Sequence, residues 1–127
     1  MRHNELSGIV IDCAIDIHRR LGPGLLESVY QEVLLYELRK RGLRVEKERP
    51  LPVIWDEVKL EVGFRADLIV ENLLIVELKS QEAVAPVHKK ILLTYLRLAD
   101  MRLGLLINFG TELLKDGISR VVNGLAE

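Results

Sequence analysis

The stretch Asp67 to Ser80, DLIVENLLIVELKS, reads as two aliphatic runs joined by a short polar turn, yet it carries Asp67, Glu77 and Lys79 inside segments that otherwise look like core. Burying an unpaired charge costs several kcal/mol, roughly, even after the surroundings relax. The three charges therefore need partners, and the hairpin register decides which face each one occupies. A two-residue turn at Glu71-Asn72 sets Asp67 opposite Val76 and scatters the charges over both faces. A three-residue loop, Glu71-Asn72-Leu73, with Asn72 or its neighbour left-handed, sets Asp67 opposite Glu77 and pairs Leu68 with Val76 and Val70 with Leu74. The second register puts the aliphatics on one face and all three charges on the other. It is the expected one, because a one-residue slip is strongly penalised when a face is buried.

Two carboxylates directly opposite each other repel unless a cation lies between them or one takes up a proton. Lys79, two residues beyond Glu77 and on the same side, supplies one positive charge, and a divalent metal would supply two more. Hard oxygen ligands from Asp67 and Glu77, completed by water, suit Mg²⁺ or Mn²⁺ and not a closed structural zinc site. Such a site polarises a phosphate oxygen and lowers the pKa of bound water. The spacing alone is equally consistent with an Asp-Lys-Glu network that satisfies only itself.

Upstream of the hairpin, Leu6, Ile9, Val10, Cys13, Ala14, Ile17 and Leu21 recur at three- and four-residue spacing, which predicts a helix ending at His18-Arg19-Arg20 and Gly22. After Gly22-Pro23-Gly24 the pattern repeats in Leu26, Val29, Tyr30, Val33, Leu34 and Leu38, stopped by Gly42. With Gly24 as N-cap, Glu27 falls at the third helical position, where a glutamate commonly caps its own helix, and Tyr30 reads as a core aromatic with its hydroxyl at a partner. Residues 43–48, 51–55, 58–62, 64–70 and 73–79 look extended, 86–99 helical, 103–110 a strand buried on both faces, and 118–125 a last edge strand. The order helix, helix, antiparallel meander, helix, strand predicts an α/β (α+β) domain with helices flanking a mixed central sheet.

The 127 residues, 49% apolar and 29% charged, suit one domain spanning 1–127. With 18 Lys and Arg against 19 Asp and Glu there is no bulk attraction to a polyanion, so any nucleic-acid site has to be local. No apolar run approaches the roughly 20 residues of a membrane span, and the start MRHNELSG lacks a signal-peptide layout, so a cytoplasmic protein is expected. Cys13 has no disulfide or zinc partner and reads as a small buried apolar residue on the first helix.

Taken in order, Gly24-x-x-Glu27-x-x-Tyr30, Arg65-Ala66-Asp67-Leu68-Ile69-Val70, Glu77-Leu78-Lys79, PVHKKILLTYLRL and LGLLINFG resemble the GxxExxY family of the PD-(D/E)XK nuclease superfamily, which has the restriction-endonuclease-like fold. The resemblance runs from about Ile9 to Asn123. It implies an αβββαβ core in which Asp67 and Glu77 bind the metal, the Leu78 carbonyl adds a ligand, Lys79 positions or activates the attacking water, and Glu27 reaches in from the second helix. Tyr30, Arg65, His88 and Lys90 are the candidate substrate contacts. Two positions depart from the family pattern: Ala66 stands where the motif proline is usual, and Ile91 where glutamine usually follows the histidine equivalent to His88.

The function expected from these readings is a nuclease that hydrolyses phosphodiester bonds of DNA or RNA with Mg²⁺ or Mn²⁺. The alternative is a catalytically weak or inactive binding or adaptor module on the same fold, which Ile91 and the near-neutral charge favour. No extra basic helix, zinc finger or aromatic platform is visible in the sequence, so such a nuclease would read structure or ends, or depend on a partner, either a second copy or another protein.

Overall fold

The computed structural model describes residues 1–126, with every side chain among them but that of Val62. Its elements are α1 (His3–Leu21), α2 (Glu27–Lys40), β1 (Val45–Trp55), β2 (Val58–Val70), β3 (Leu74–Lys79), α3 (Val87–Ala99), β4 (Leu103–Asn108) and β5 (Ile118–Val122), with a short 3₁₀ turn at Leu114–Gly117. Among the described residues the strands form one sheet in the order β1-β2-β3-β4-β5. Neighbours are antiparallel except β3 and β4, which are parallel and joined through α3. This is the mixed sheet with flanking helices that the sequence predicts.

Period-two alternation along the central strands splits the core into two layers. Leu74, Val76 and Leu78 of β3, with Leu103, Leu105 and Ile107 of β4, pack against α1 and α2 through Leu6, Val10, Ile17, Tyr30, Leu34 and Leu38. Ile75 and Leu106 face the other way, onto Leu92 and Leu96 of α3. The contact with α3 is close, since a Cβ on Gly104 would stand 2.9 Å from Leu92 Cδ1. Cys13 is buried on α1, where burial pushes its thiol pKa up.

The hairpin takes the three-residue loop: Leu68 faces Val76, Ile69 faces Ile75 and Val70 faces Leu74, with Glu71 and Asn72 both left-handed at φ 52°. Glu71 tolerates that conformation because it is held on both sides. Its N–H donates to the Arg44 carbonyl (2.8 Å), and its Oε2 accepts from the Arg44 N–H (2.7 Å).

Three expectations need correction. The extended segments 43–48 and 51–55 form one strand, β1, and 58–62 and 64–70 form another, β2. Pro50 and Pro52 do not break β1, because it lies at the edge of the sheet, where a missing N–H need not cost a ladder bond. The N-cap of α2 is Leu26 rather than Gly24, so Glu27 is the first helical residue, and no side chain caps that helix.

Candidate functional site

β2 and β3 run as a ladder only from Leu68 to Val70 and from Leu74 to Val76; beyond that they part. The cause lies in β1 and β2. Glu48, across from Asp67 in the register, has φ 53°, and the ladder skips that pair while Lys47 faces Leu68 and Arg49 faces Ala66. The strands turn over at this point. Ala66 belongs to the α3 core and Leu68 to the α1–α2 core, although strict alternation would put them on the same face.

Where the ladder opens, two carboxylates close it. Glu77 Oε1 accepts from the Asp67 N–H (2.9 Å), and Asp67 Oδ2 accepts from the Leu78 N–H (2.8 Å). Each side chain replaces a lost backbone acceptor on the facing strand, so both are fixed by main chain on elements embedded in the core. Burial, and after it repulsion from Asp67, pushes the Glu77 carboxyl up to about 9, while the N–H bond from Asp67 and the Lys79 charge pull the other way. At neutral pH the pair is therefore relieved by a proton on Glu77.

Glu77 and Lys79 line a cavity of about 130 Å³ with His88, Ile91, Leu92, Tyr95 and Leu106. The hydroxyl of Tyr95 lies within the field of the carboxylates: burial raises its pKa first, then the charges of Glu77 and Asp67. Ile91, 37% exposed, borders this cavity, so a polar side chain at that position would have shared it with Glu77 and Lys79. In an extended strand the N–H and C=O of one residue point to the same edge. The Leu78 carbonyl thus faces the gap bridged by Asp67, and the next carbonyl, Lys79, points to the β4 side, accepting from the Phe109 N–H (2.8 Å).

The other sequence candidates are distributed differently. Glu27 is exposed and lines a neighbouring cavity of about 460 Å³ with Ser80, Gln81 and Glu82, not the one that holds Glu77 and Lys79. Ser80 Oγ ties the end of β3 to the Leu25 carbonyl, which keeps the start of α2 beside that strand end. Arg65 is exposed on β2, and Lys90 is exposed on α3 outside the residues lining the carboxylate cavity.

Tyr30 is the candidate that the structure removes from the substrate contacts. It is fully buried, stacks on Phe109 with ring centroids 4.3 Å apart, donates to the Gly22 carbonyl (2.6 Å) and accepts from the Leu25 N–H (3.2 Å). A ring with no accessible surface cannot touch substrate; it holds the α1–α2 turn, the core role that its helical spacing also allowed.

One positioning residue escaped the sequence reading. Asn108, 2% exposed at the end of β4, accepts from the Gln81 and Gly110 N–H groups (3.0 Å each) and donates to the Gln81 carbonyl (2.9 Å). It extends the β3–β4 pairing just past Lys79 and so fixes the chain that carries the lysine. A polar residue closing an otherwise apolar strand was its only signal.

The donor set fits a hard divalent cation. The backbone bonds use one oxygen of each carboxylate, Oδ2 of Asp67 and Oε1 of Glu77, and leave Oδ1 and Oε2 to a cation in place of the proton. Among the described residues no three or more His, Cys, Asp or Glu side chains converge. A cation bound here would have at most two carboxylates and a main-chain carbonyl as protein ligands, with water for the rest, a sparse oxygen set that suits an ion which keeps its hydration.

Comparison with known proteins gives a match to one family model, described as the PD-(D/E)XK nuclease superfamily, over residues 4–121. No curated protein and no solved structure matches the chain.

Proposed function

Because this chain belongs to the PD-(D/E)XK nuclease superfamily, we propose that it is a divalent-metal-dependent nuclease, of the GxxExxY kind that its Gly24-x-x-Glu27-x-x-Tyr30 pattern resembles. The superfamily's chemistry is nuclease-type, with divalent metals and nucleic-acid substrates. The observation that carries the finer reading is the reciprocal closure of the β2–β3 gap, which sets Asp67 and Glu77 side by side, with Lys79 lining the same cavity as Glu77. Asp67, Glu77 and the Leu78 carbonyl would hold Mg²⁺ or Mn²⁺. When bound, such an ion polarises a phosphate oxygen, favours ionisation of water and offsets the charge that develops at phosphorus. Lys79 orients the attacking water towards the phosphate, and Asn108 keeps that lysine's strand in place. Arg65, His88 and Lys90 hold the substrate backbone. Glu27 contributes at the rim, from the adjoining cavity, and is the least committed member of the set.

Purified protein with Mn²⁺ or Mg²⁺ is expected to cut DNA or RNA, and Lys79→Ala to lose at least about 100-fold of that rate with its circular dichroism unchanged. Glu27→Gln should cost much less than Asp67→Asn. A wild type as inert as Lys79→Ala over a broad substrate panel would favour the second reading, a binding or adaptor module. Ile91 at the cavity wall speaks for that reading, because it puts an aliphatic chain where a water- or phosphate-binding group would serve catalysis. Calorimetric titration with Mn²⁺ tests what both readings share: a metal site lost in Asp67→Asn. Silence in wild type would leave only a structural carboxylate pair.

A further inference from the structure

We infer that Phe64 and Tyr95 form a stacking platform for an unpaired base next to the reacting phosphate, so that the substrate class of this site is single-stranded nucleic acid. The position of the phosphate rests on the nuclease reading above; the platform itself rests on geometry. Phe64 of β2 and Tyr95 of α3, far apart in sequence, meet with ring centroids 5.3 Å apart and planes tilted by 50°. Tyr95 lines the cavity that also holds Glu77 and Lys79, and its hydroxyl lies in the field of both carboxylates. Phe64 lies three residues before Asp67, on the part of the β1–β2 ribbon that runs past β3, and remains 37% exposed. The exposed Ile91 continues the same wall. One side of the carboxylate site is thus aromatic and aliphatic, and it is open to solvent.

A base inside a duplex already has a neighbour on each face, whereas an unpaired base has a face to give to an aromatic ring. Charge argues the same way. At a net charge of −1 the chain offers no broad field for a phosphate backbone, so stacking has to supply what charge does not. At the ribbon tip the exposed Asp56 and Glu57 outweigh Lys59, itself paired with Glu61 (3.5 Å), so charge draws no phosphate there. The plain alternative is that Phe64 only covers Leu51 and Ala66, which are buried on the same side of the sheet. A leucine at position 64 would do that equally well, and this is what separates the two accounts.

The test measures binding apart from cutting. The 127-residue protein is titrated, with EDTA present, into a single-stranded oligonucleotide carrying one 2-aminopurine and into the blunt duplex of the same sequence, with quenching and anisotropy as readouts. Wild type should quench the probe and bind the single strand more tightly than the duplex. Phe64→Leu should lose the quenching and bind the single strand roughly 5- to 150-fold more weakly, while Phe64→Tyr retains both. Unchanged binding by Phe64→Leu, or a wild type that favours the blunt duplex, would overturn the inference. If quenching and single-strand preference are found but no metal supports cutting, the nuclease reading fails and the platform stands. If duplex is cut and Phe64→Leu cuts it equally well, the platform fails and the nuclease stands.

Discussion

Glu77 holds two positions at once: an acceptor for the Asp67 N–H and a carboxyl pushed up to about 9 by burial and by its neighbour's charge. Its ordinary value is 4.5, so between the two the folded chain holds a proton that the unfolded chain releases. The sign comes from linkage: Glu77 favours the fold fully below about pH 4.5 and loses that contribution as pH rises towards 9. Glu77→Gln keeps an oxygen for the Asp67 N–H and removes the ionisation. The metal-free variant should therefore gain stability over wild type as pH rises from 5 to 9, by about 1–3 kcal/mol at the upper end. Urea melts at stepped pH measure it, and a gap that stays constant or narrows with pH would show that Glu77 titrates normally. The same proton opposes a metal. Mn²⁺ affinity should rise with pH, at most tenfold per unit below 9, with about one proton released on binding, read as the dependence of calorimetric heat on buffer ionisation enthalpy.

At the scale of elements, the strand that carries Lys79 is anchored by contacts just beyond its end. Gly110 passes so close to Gln81 that a Cβ there would overlap the Gln81 backbone, and Asn108 bonds both polar groups of that same residue. Gly110→Ala should cost about 2 kcal/mol or more, since backbone and not a flexible side chain would have to move. Gly8, inside α1 with nothing near its missing Cβ, gives the opposite sign: Gly8→Ala should stabilise by roughly 0.5–1 kcal/mol through helix propensity. Denaturant melts of the two variants side by side check the contrast, and equal effects would remove the close approach as an explanation. The same level marks where sequence is legible. The β2–β3 register can be read because Leu68, Val70, Leu74 and Val76 leave one face to bury and a slip would expose it. The continuity of β1 cannot, because Pro50 and Pro52 look like breaks until the strand is known to be an edge. Tyr30 reads two ways from its helical spacing, and only its zero exposure and its stacking on Phe109 decide between them. The meeting of Phe64 with Tyr95 is made by tertiary structure, and the left-handed break at Glu48, where the ladder skips Asp67, likewise has no local pattern to announce it.

For the molecule as a whole, charge balance limits how nucleic acid can be held. With 18 cationic and 19 anionic side chains, attraction has to come from a few local cations, among them the proposed contacts Arg65 and Lys90 and the exposed Lys89 beside Lys90 on α3, while Glu27 and Glu82 line the adjoining cavity. Each phosphate contact to a single strand contributes about −0.7 to the slope of log K against log salt. Three contacts give a slope near −2, far shallower than that of a protein with an extended basic face. Stacking on Phe64 and Tyr95 is insensitive to salt, so it should persist where the charge contribution is screened. Anisotropy titrations of a single-stranded oligonucleotide from 50 to 300 mM salt should therefore show a gentle decline. Lys89→Ala with Lys90→Ala should flatten it by about 1.4, and Phe64→Leu should lower every point without changing the slope. A wild-type slope steeper than about −5 would require a polyanion-binding face that this charge distribution does not provide, and substrate capture would then have to be assigned to a surface other than the carboxylate cavity and its aromatic wall.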